Sequence, residues 1–247
     1  MPVSPERRRR QRRLWFPAAV LLALVLGAAA WAQAPPAPPP GSPAPAPAPV
    51  TPTPPPTAQQ PANGPPPVHI AWRRSRAGGA TNGGRLWRGV QLPAEGPDWF
   101  TWDPVLKRSP NRDWRRWGTD RLLRTLLRVL REYRAAHPAA PRVGIGDLSR
   151  RHGGTFDGRF GGLGHASHQN GLDVDVYYPR TDGRELRPYK PGQVDRVLAQ
   201  DLVDRFARAG AQYVFVGPRV GLHGRRGVVE ELVNHDDHVH VRIRPNR

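Results

Sequence analysis

His165-Ala166-Ser167-His168-Gln169-Asn170-Gly171-Leu172-Asp173-Val174-Asp175-Val176-Tyr177-Tyr178 is the stretch on which the reading of this chain turns. Its second half alternates polar and apolar residues, the period of a half-buried strand. Over 172–178 successive side chains point to opposite sides, so Asp173 and Asp175 share one face while Val174 and Val176 take the other. The stretch Asn234-His235-Asp236-Asp237-His238-Val239-His240-Val241-Arg242-Ile243 repeats the pattern. Val239, Val241 and Ile243 fall on one face, and His238, His240 and Arg242 on the other. Five of the chain's nine histidines lie in these two windows. If the two strands are neighbours, His240 meets Asp175, and His168 reaches in from the turn at Gly171.

Outward from these strands, Leu122, Leu123, Leu126, Leu127, Leu130 and Tyr133 recur at three-to-four spacing with arginines between them. That predicts an amphipathic helix from an N-cap at Thr119 to near Pro138. A second helix is expected over 193–209, with Val194, Val197, Leu198, Leu202 and Phe206 on its apolar face and Gly210 as its stop. Residues 142–145 and 212–216 read as further short strands. Residues 68–117 are rich in Gly, Pro and Trp and show no period. They are expected to be loops, with Trp99, Trp102, Trp114 and Trp117 as core plugs rather than sugar-stacking platforms. The mixed order of elements indicates an α+β fold, a small mixed or antiparallel sheet with flanking helices, in one domain over 68–247.

At the other end of the chain, six arginines within 7–13 precede an apolar run over 14–30 and the small-x-small pattern Ala30-Trp31-Ala32. Residues 1–32 therefore read as a secretory signal or, if uncleaved, as a membrane anchor. Residues 33–67 are about half proline, a composition that cannot bury a core and favours a stiff polyproline spacer. The formal net charge is +18, and removal of 1–32 takes away six arginines and one glutamate, leaving a strongly basic chain. Acidic partners are implied: nucleic acid, anionic lipid or a wall polymer rich in carboxylates. There is no cysteine, so disulfides and thiolate ligands are excluded and any metal must sit on His, Asp or Glu. The glycine-rich stretch 153–164 lacks the Lys-Ser/Thr ending of a phosphate-binding loop.

His168, Asp175 and His240 supply two neutral imidazoles and a carboxylate, ligand types that zinc prefers. Three protein ligands leave the fourth tetrahedral position open, which is the catalytic arrangement. An ion held there lowers the pKa of water toward ~7 and polarises a carbonyl. His238, two residues from His240 on the same face, is placed to carry the proton from water to the leaving amine. Asp173 reads as an acceptor that orients a histidine, and Asp236 and Asp237 as a solvated turn.

At these residues the chain resembles the penicillin-insensitive murein endopeptidases, relatives of lysostaphin-type peptidases, D-Ala-D-Ala metallopeptidases and the hedgehog signalling domain. The wider group's H-x6-D and H-x-H stand as His168 to Asp175 and His238-Val239-His240. The narrower GHASHQ-x-GLDVD stands at 164–175 and H-x-x-H-x-HVR-x-R at 235–244, and the likeness runs from about residue 78 to 247. The resemblance implies a small α+β zinc domain with His168, Asp175 and His240 as ligands, His238 as base and His235 as a further active-site histidine. It also implies a substrate, the D-alanyl to diaminopimelyl cross-link between peptidoglycan strands. The expected partner is thus the peptidoglycan peptide stem and not nucleic acid. The expected place is the periplasm or cell envelope, with an inner-membrane tether if the N-terminal segment is retained. Some members hold a second metal through the position of His165 and a D-x-x-H pair. Here that pair stands as Asp182-Gly183-Arg184-Glu185, without the histidine, so one zinc is expected.

Rival readings remain distinct in their chemistry. Ser167 between His165 and His168 raises a serine hydrolase, which leaves the second histidine window without a role. The positive charge raises a nuclease, whose activity would fall steeply with salt. A D-Ala-D-Ala carboxypeptidase, or a non-catalytic wall-binding relative, would keep the same metal trio.

Overall fold

The structure, a computed structural model, describes residues 68–156 and 165–245, all within the second of the two units into which the chain divides, Ala58–Arg247. The expected signal or anchor, the linker and Gly164 of the first motif lie outside the described residues. Among the described residues no helix is long and apolar enough to cross a membrane. The chain order is β1 (Arg76–Gly78), β2 (Arg85–Trp87), β3 (Val90–Gln91), β4 (Trp99–Thr101), β5 (Trp117–Gly118), α1 (Asp120–Ala136), β6 (Val143–Ile145), β7 (Asp173–Tyr177), α2 (Arg196–Arg208), β8 (Ala211–Val216), β9 (Val229–Glu231) and β10 (His238–Ile243). This is an α+β fold whose principal sheet has six strands in the order β4-β6-β7-β10-β8-β9. The inner strands β6, β7, β10 and β8 pair antiparallel, and the edges β4 and β9 join in parallel.

The alternation in the two decisive stretches is realised as neighbouring central strands. The β7–β10 register sets His238 opposite Tyr177, His240 opposite Asp175 and Arg242 opposite Asp173. Val239 and Val241 lie opposite Val176 and Val174, and all four are fully buried. They form one core with Leu123, Leu126 and Leu130 of α1 and Leu202 and Phe206 of α2. The helices therefore cover the apolar face of the sheet, and the carboxylates and imidazoles stand on the face they leave open.

α1 begins where its sequence signals it. Thr119 has extended backbone, and its side-chain oxygen accepts from the Leu122 N–H, satisfying one of the orphan donors of the first turn. α2 starts later than the expected residue 193. Pro191–Gln193 form a 3-10 turn, Val194 is extended, and Asp195 caps the helix by accepting from the N–H groups of Val197 and Leu198. Val197 thus falls on the solvent side and is 77% exposed, contrary to its expected place on the apolar face, which Ala199, Leu202, Val203 and Phe206 occupy. Gly210, at φ 84°, takes the left-handed position that ends the helix.

Residues 68–117, expected as loops, contain β1 to β5. These strands are two or three residues long, too short to establish an alternation. Trp99 and Trp102 are buried as expected of core plugs, whereas Trp114 and Trp117 are half-buried and covered by arginine guanidinium groups.

Leu126→Ala should lower the unfolding free energy by about 2–5 kcal/mol, and Thr119→Ala by about 1 kcal/mol, read from urea midpoints. A change below about 1 kcal/mol for Leu126→Ala would show that α1 does not seal the apolar face.

Candidate metal centre

The turn into β7 carries His168 at φ 66°, a left-handed conformation uncommon for a residue with a side chain. Packing holds it there. The ring is fully buried and stacks on Phe156 with centroids 6.0 Å apart, and its Nδ1 lies 2.6 Å from the Leu148 carbonyl oxygen. A carbonyl only accepts, so Nδ1 carries the proton and the Nε2 lone pair faces Asp175 Oδ1 at 3.3 Å. Gly171, at φ 76°, completes the turn. A Cβ there would lie 2.9 Å from the Leu86 side chain and 3.2 Å from the Thr119 nitrogen.

β10 delivers His240 in the mirrored arrangement. Its Nε2 donates to Asp173 Oδ1 at 2.8 Å, and its Nδ1 faces Asp175 Oδ1 at 3.2 Å. Asp173 also accepts from Arg242 Nε at 2.6 Å. His238 lies beside it, with Nδ1 2.7 Å from Asp237 Oδ1 and Nε2 3.7 Å from Asp175 Oδ1. His235 places Nδ1 2.7 Å from the Val233 carbonyl oxygen, and its ring centroid is 4.8 Å from that of His238. His165 comes from the opposite side. Its Nε2 is 2.8 Å from Asp147 Oδ2 and 3.9 Å from Asp175 Oδ2.

Asp175 is the hub of this cluster, and its ionisation follows. Burial alone would raise its pKa; His168 and His238 outweigh burial and hold the carboxyl well below the usual carboxylate range. Asp173 is likewise lowered, burial being overcome by His240 and His168. His240 is raised despite burial by the neighbouring carboxylates of Asp173 and Asp175. His238 is raised despite burial by Asp175 and Asp237, while burial and the neighbouring His238 lower His235. Burial, with Asp147 and Asp237 adding to it, pushes the Tyr177 phenol well above its ordinary value, so this wall of the site offers a donor and no charge.

A metal ion fits the donor set. His168 Nε2 and Asp175 Oδ1 are buried atoms without hydrogen-bond partners among the described residues, and the His240 Nδ1 lone pair points at the same oxygen. Electron-rich atoms converging in a buried space repel one another unless a cation lies between them. His165, His168 and Asp175 also offer ligand atoms that all lie within 4.8 Å of one another. The cluster opens on a cavity of about 860 Å³ whose walls include Tyr177, Arg187, Phe215 and Asn234. That is room for a peptide segment.

A family model described as penicillin-insensitive murein endopeptidase matches residues 77–215, more than half of the chain. The chain belongs to that family. A comparison with curated proteins finds no match. As a penicillin-insensitive murein endopeptidase it is a peptidase, and murein is its substrate class. The matched span takes in His165, His168 and Asp175. His235, His238 and His240 lie beyond it and enter the site through the pairing of β10 with β7.

The structure brings all the expected site residues to one face and adds others that the sequence did not single out. Asp237, expected in a solvated turn, instead grips the Nδ1 of His238 and pairs with Arg187 at 3.2 Å. Asp236 pairs with Arg219 at 2.6 Å. Both partner arginines are distant in sequence, which is why the local Asn-His-Asp-Asp pattern reads only as a turn. Asp147 follows β6 and is bound by Arg115 Nε at 2.6 Å and Nη2, by Asn111 and by His165. The available signal was modest: Asp147 is the only acid between Glu132 and Asp157. Asp182 and Glu185, in place of the D-x-x-H pair, are taken up by Arg180 and Arg142. Ser167 has no histidine hydrogen-bonded to it among the described residues, so the base that a serine nucleophile requires is missing.

Burial works against ionised Asp147, but Arg115 and His165 overcome it and hold its pKa at about 2. A depressed carboxyl stabilises the fold above its unfolded value of 3.8 and loses that contribution as pH falls toward about 2, on the order of 2 kcal/mol. Asp147→Ala leaves the fully buried Arg115 without its counter-charge and should cost about 3–5 kcal/mol at neutral pH. Urea unfolding at neutral pH and across the acid window measures both. A loss under about 1 kcal/mol would remove the Arg115–Asp147 pair from the supports of this site.

Proposed function

We propose that this murein endopeptidase is zinc-dependent, with His168 Nε2, Asp175 and His240 Nδ1 as ligands, and that it hydrolyses the D-alanyl to diaminopimelyl cross-link. The observation that carries the reading is the convergence of two imidazole lone pairs on one buried, unpartnered carboxylate oxygen, each ring being held from behind by Leu148 or Asp173. When bound, the ion lowers the pKa of water toward ~7 and polarises the scissile carbonyl. The chain's own residues do the rest. Asp237 fixes His238 with its Nδ1–H outward, leaving Nε2 toward Asp175 to take the proton of the attacking water and return it to the leaving amine. His235, held by the Val233 carbonyl and lowered in pKa, stands beside it as a neutral ring that can hydrogen-bond the substrate through Nε2. In this reading the chain works in the cell envelope, exported by 1–32 and given reach by 33–67, with an inner-membrane tether if 1–32 is retained.

A second ligand set has an observation in its favour, since His165, His168 and Asp175 also cluster. The geometry favours His240, because the His165 Nε2 is already engaged by Asp147 and the ring is more exposed. Metal analysis of the purified full chain separates the two. One zinc per chain is expected, lost in His168→Ala, Asp175→Ala and His240→Ala and kept in His165→Ala. Retention in His240→Ala with loss in His165→Ala would exchange the two roles. His238→Ala should keep its zinc and lose about 10²-fold or more in rate.

Digestion of cross-linked muropeptide dimers, with products identified by mass, tests the reaction itself. Monomers should form with penicillin present, because β-lactams trap serine nucleophiles and none is used here, and a chelator should stop the reaction. Cleavage that survives the chelator and fails with penicillin would overturn the reading and restore Ser167 as nucleophile.

A further inference from the structure

The proposed substrate carries free carboxylates along its peptide stems, so the cations that face the cavity bear on how it is held. Among the described residues, two arginines line the cavity. Arg242 donates to Asp173 and belongs to the support of His240. Arg187 is differently placed. Its Nη1 lies 3.2 Å from Asp237 Oδ2, and its Nε is buried without a hydrogen-bond partner among the described residues. Its guanidinium lies over the exposed Tyr189 ring, 4.9 Å from the centroid. Arg187 also forms part of the wall of a second cavity of about 240 Å³, which shares Asn234 and Asp237 with the first and continues along Lys190.

A guanidinium has five N–H donors in a flat fork, and among the described residues Arg187 makes a single ion-pair contact to a carboxylate. A charge held rigidly at the junction of two cavities, with donors to spare, is suited to a planar anion arriving with the substrate. We propose that Arg187 is a specificity residue that receives a free carboxylate of the substrate peptide. The inference rests on the peptide-hydrolysing reading above and adds the group that reads the substrate's charge. Its anchor, Asp237, also orients His238, so the docked carboxylate and the proton carrier are positioned from one side chain. That shared anchor sets the peptide's register against the reacting bond.

The test is a binding experiment with the metal-free full chain, in which nothing is cleaved. Two cross-linked muropeptide dimers serve as probes, identical except that one has its diaminopimelyl carboxylate amidated. The wild-type chain should bind the free acid about tenfold or more tightly than the amide, the scale of one lost charge-assisted contact. In Arg187→Gln that preference should disappear through weaker binding of the acid, with the amide unchanged, and Arg187→Lys should restore part of it. Circular dichroism melts of both variants confirm that the fold is retained. Equal binding of the two probes by the wild-type chain, or a preference that survives in Arg187→Gln, would overturn the assignment. Cleavage by the zinc-loaded wild-type chain reports separately on the reaction. A chain that cuts both dimers yet shows no preference keeps the peptidase reading and loses the Arg187 subsite, whereas a chain that cuts neither loses the peptidase reading.

Discussion

Pairing of β7 with β10 in the register that sets His240 opposite Asp175 is the constraint from which the rest of the site follows. Strand side chains alternate with a period of two, so a slip by one residue would turn Val174, Val176, Val239 and Val241 outward and bury the acids and imidazoles against α1 and α2. The hydrophobic core and the chemistry are therefore specified by one choice. Burial of those valines, at roughly 1.5–3 kcal/mol each, fixes the register that brings His240 to Asp175. No separate force has to assemble the two.

A sheet face carrying Asp173, Asp175 and His240 in nearly complete burial, with Arg242 partly buried beside them, is costly unless each charge is matched. Most are. Asp173 is met by His240 and Arg242, Asp147 by Arg115, Asn111 and His165, and the His168 Nδ1–H by the Leu148 carbonyl. Among the buried atoms left without a partner in the described residues, His168 Nε2 and Asp175 Oδ1 face each other 3.3 Å apart. The supporting contacts orient lone pairs toward that point, and the left-handed backbone at His168 is held against its own preference to do so. Deficits of hydrogen bonding that coincide in space at electron-rich atoms are the signature of a cation site, whereas unrelated packing defects would be scattered.

How much of this was legible in sequence depends on whether each feature is local. The alternation over 172–178 and 239–243, the α1 periodicity and the Thr119 cap involve neighbours in the chain, and the structure reproduces them within a residue or two. The juxtaposition of Asp175 and His240 was legible because strand alternation reduces a three-dimensional question to parity, whereas His168 stands in the turn before β7. Val197 was misplaced because, at about 100° per residue, it stands roughly 140° from Leu202 and roughly 180° from Phe206 around the helix, off the face that Ala199, Leu202, Val203 and Phe206 bury. The strands within 68–117 were missed because their order comes from pairing with distant partners, such as β4 with β6, and not from their own pattern. Asp147 with Arg115 and Asp237 with Arg187 were missed for the same reason, since an ion pair 32 or 50 residues long in sequence leaves no periodic trace.

The division of labour between strand and loop residues has a mechanistic consequence. Asp175 and His240 are held by β7 and β10, and His238 heads β10, so the ligands and base of the proposed reading sit on or beside central strands of the sheet. Arg187, Tyr189 and the segment Leu232-Val233-Asn234 lie outside the strands, and Leu232 and Val233 are exposed at the cavity mouth. Loop positions tolerate change without disturbing the core. Asp237 is the exception that joins the two regions. It lies one residue before β10, binding a loop arginine with one oxygen and His238, the proton carrier of the proposed mechanism, with the other. In the proposed reading, substrate docking and proton transfer meet at that carboxylate, so changes to Asp237 bear on both regions.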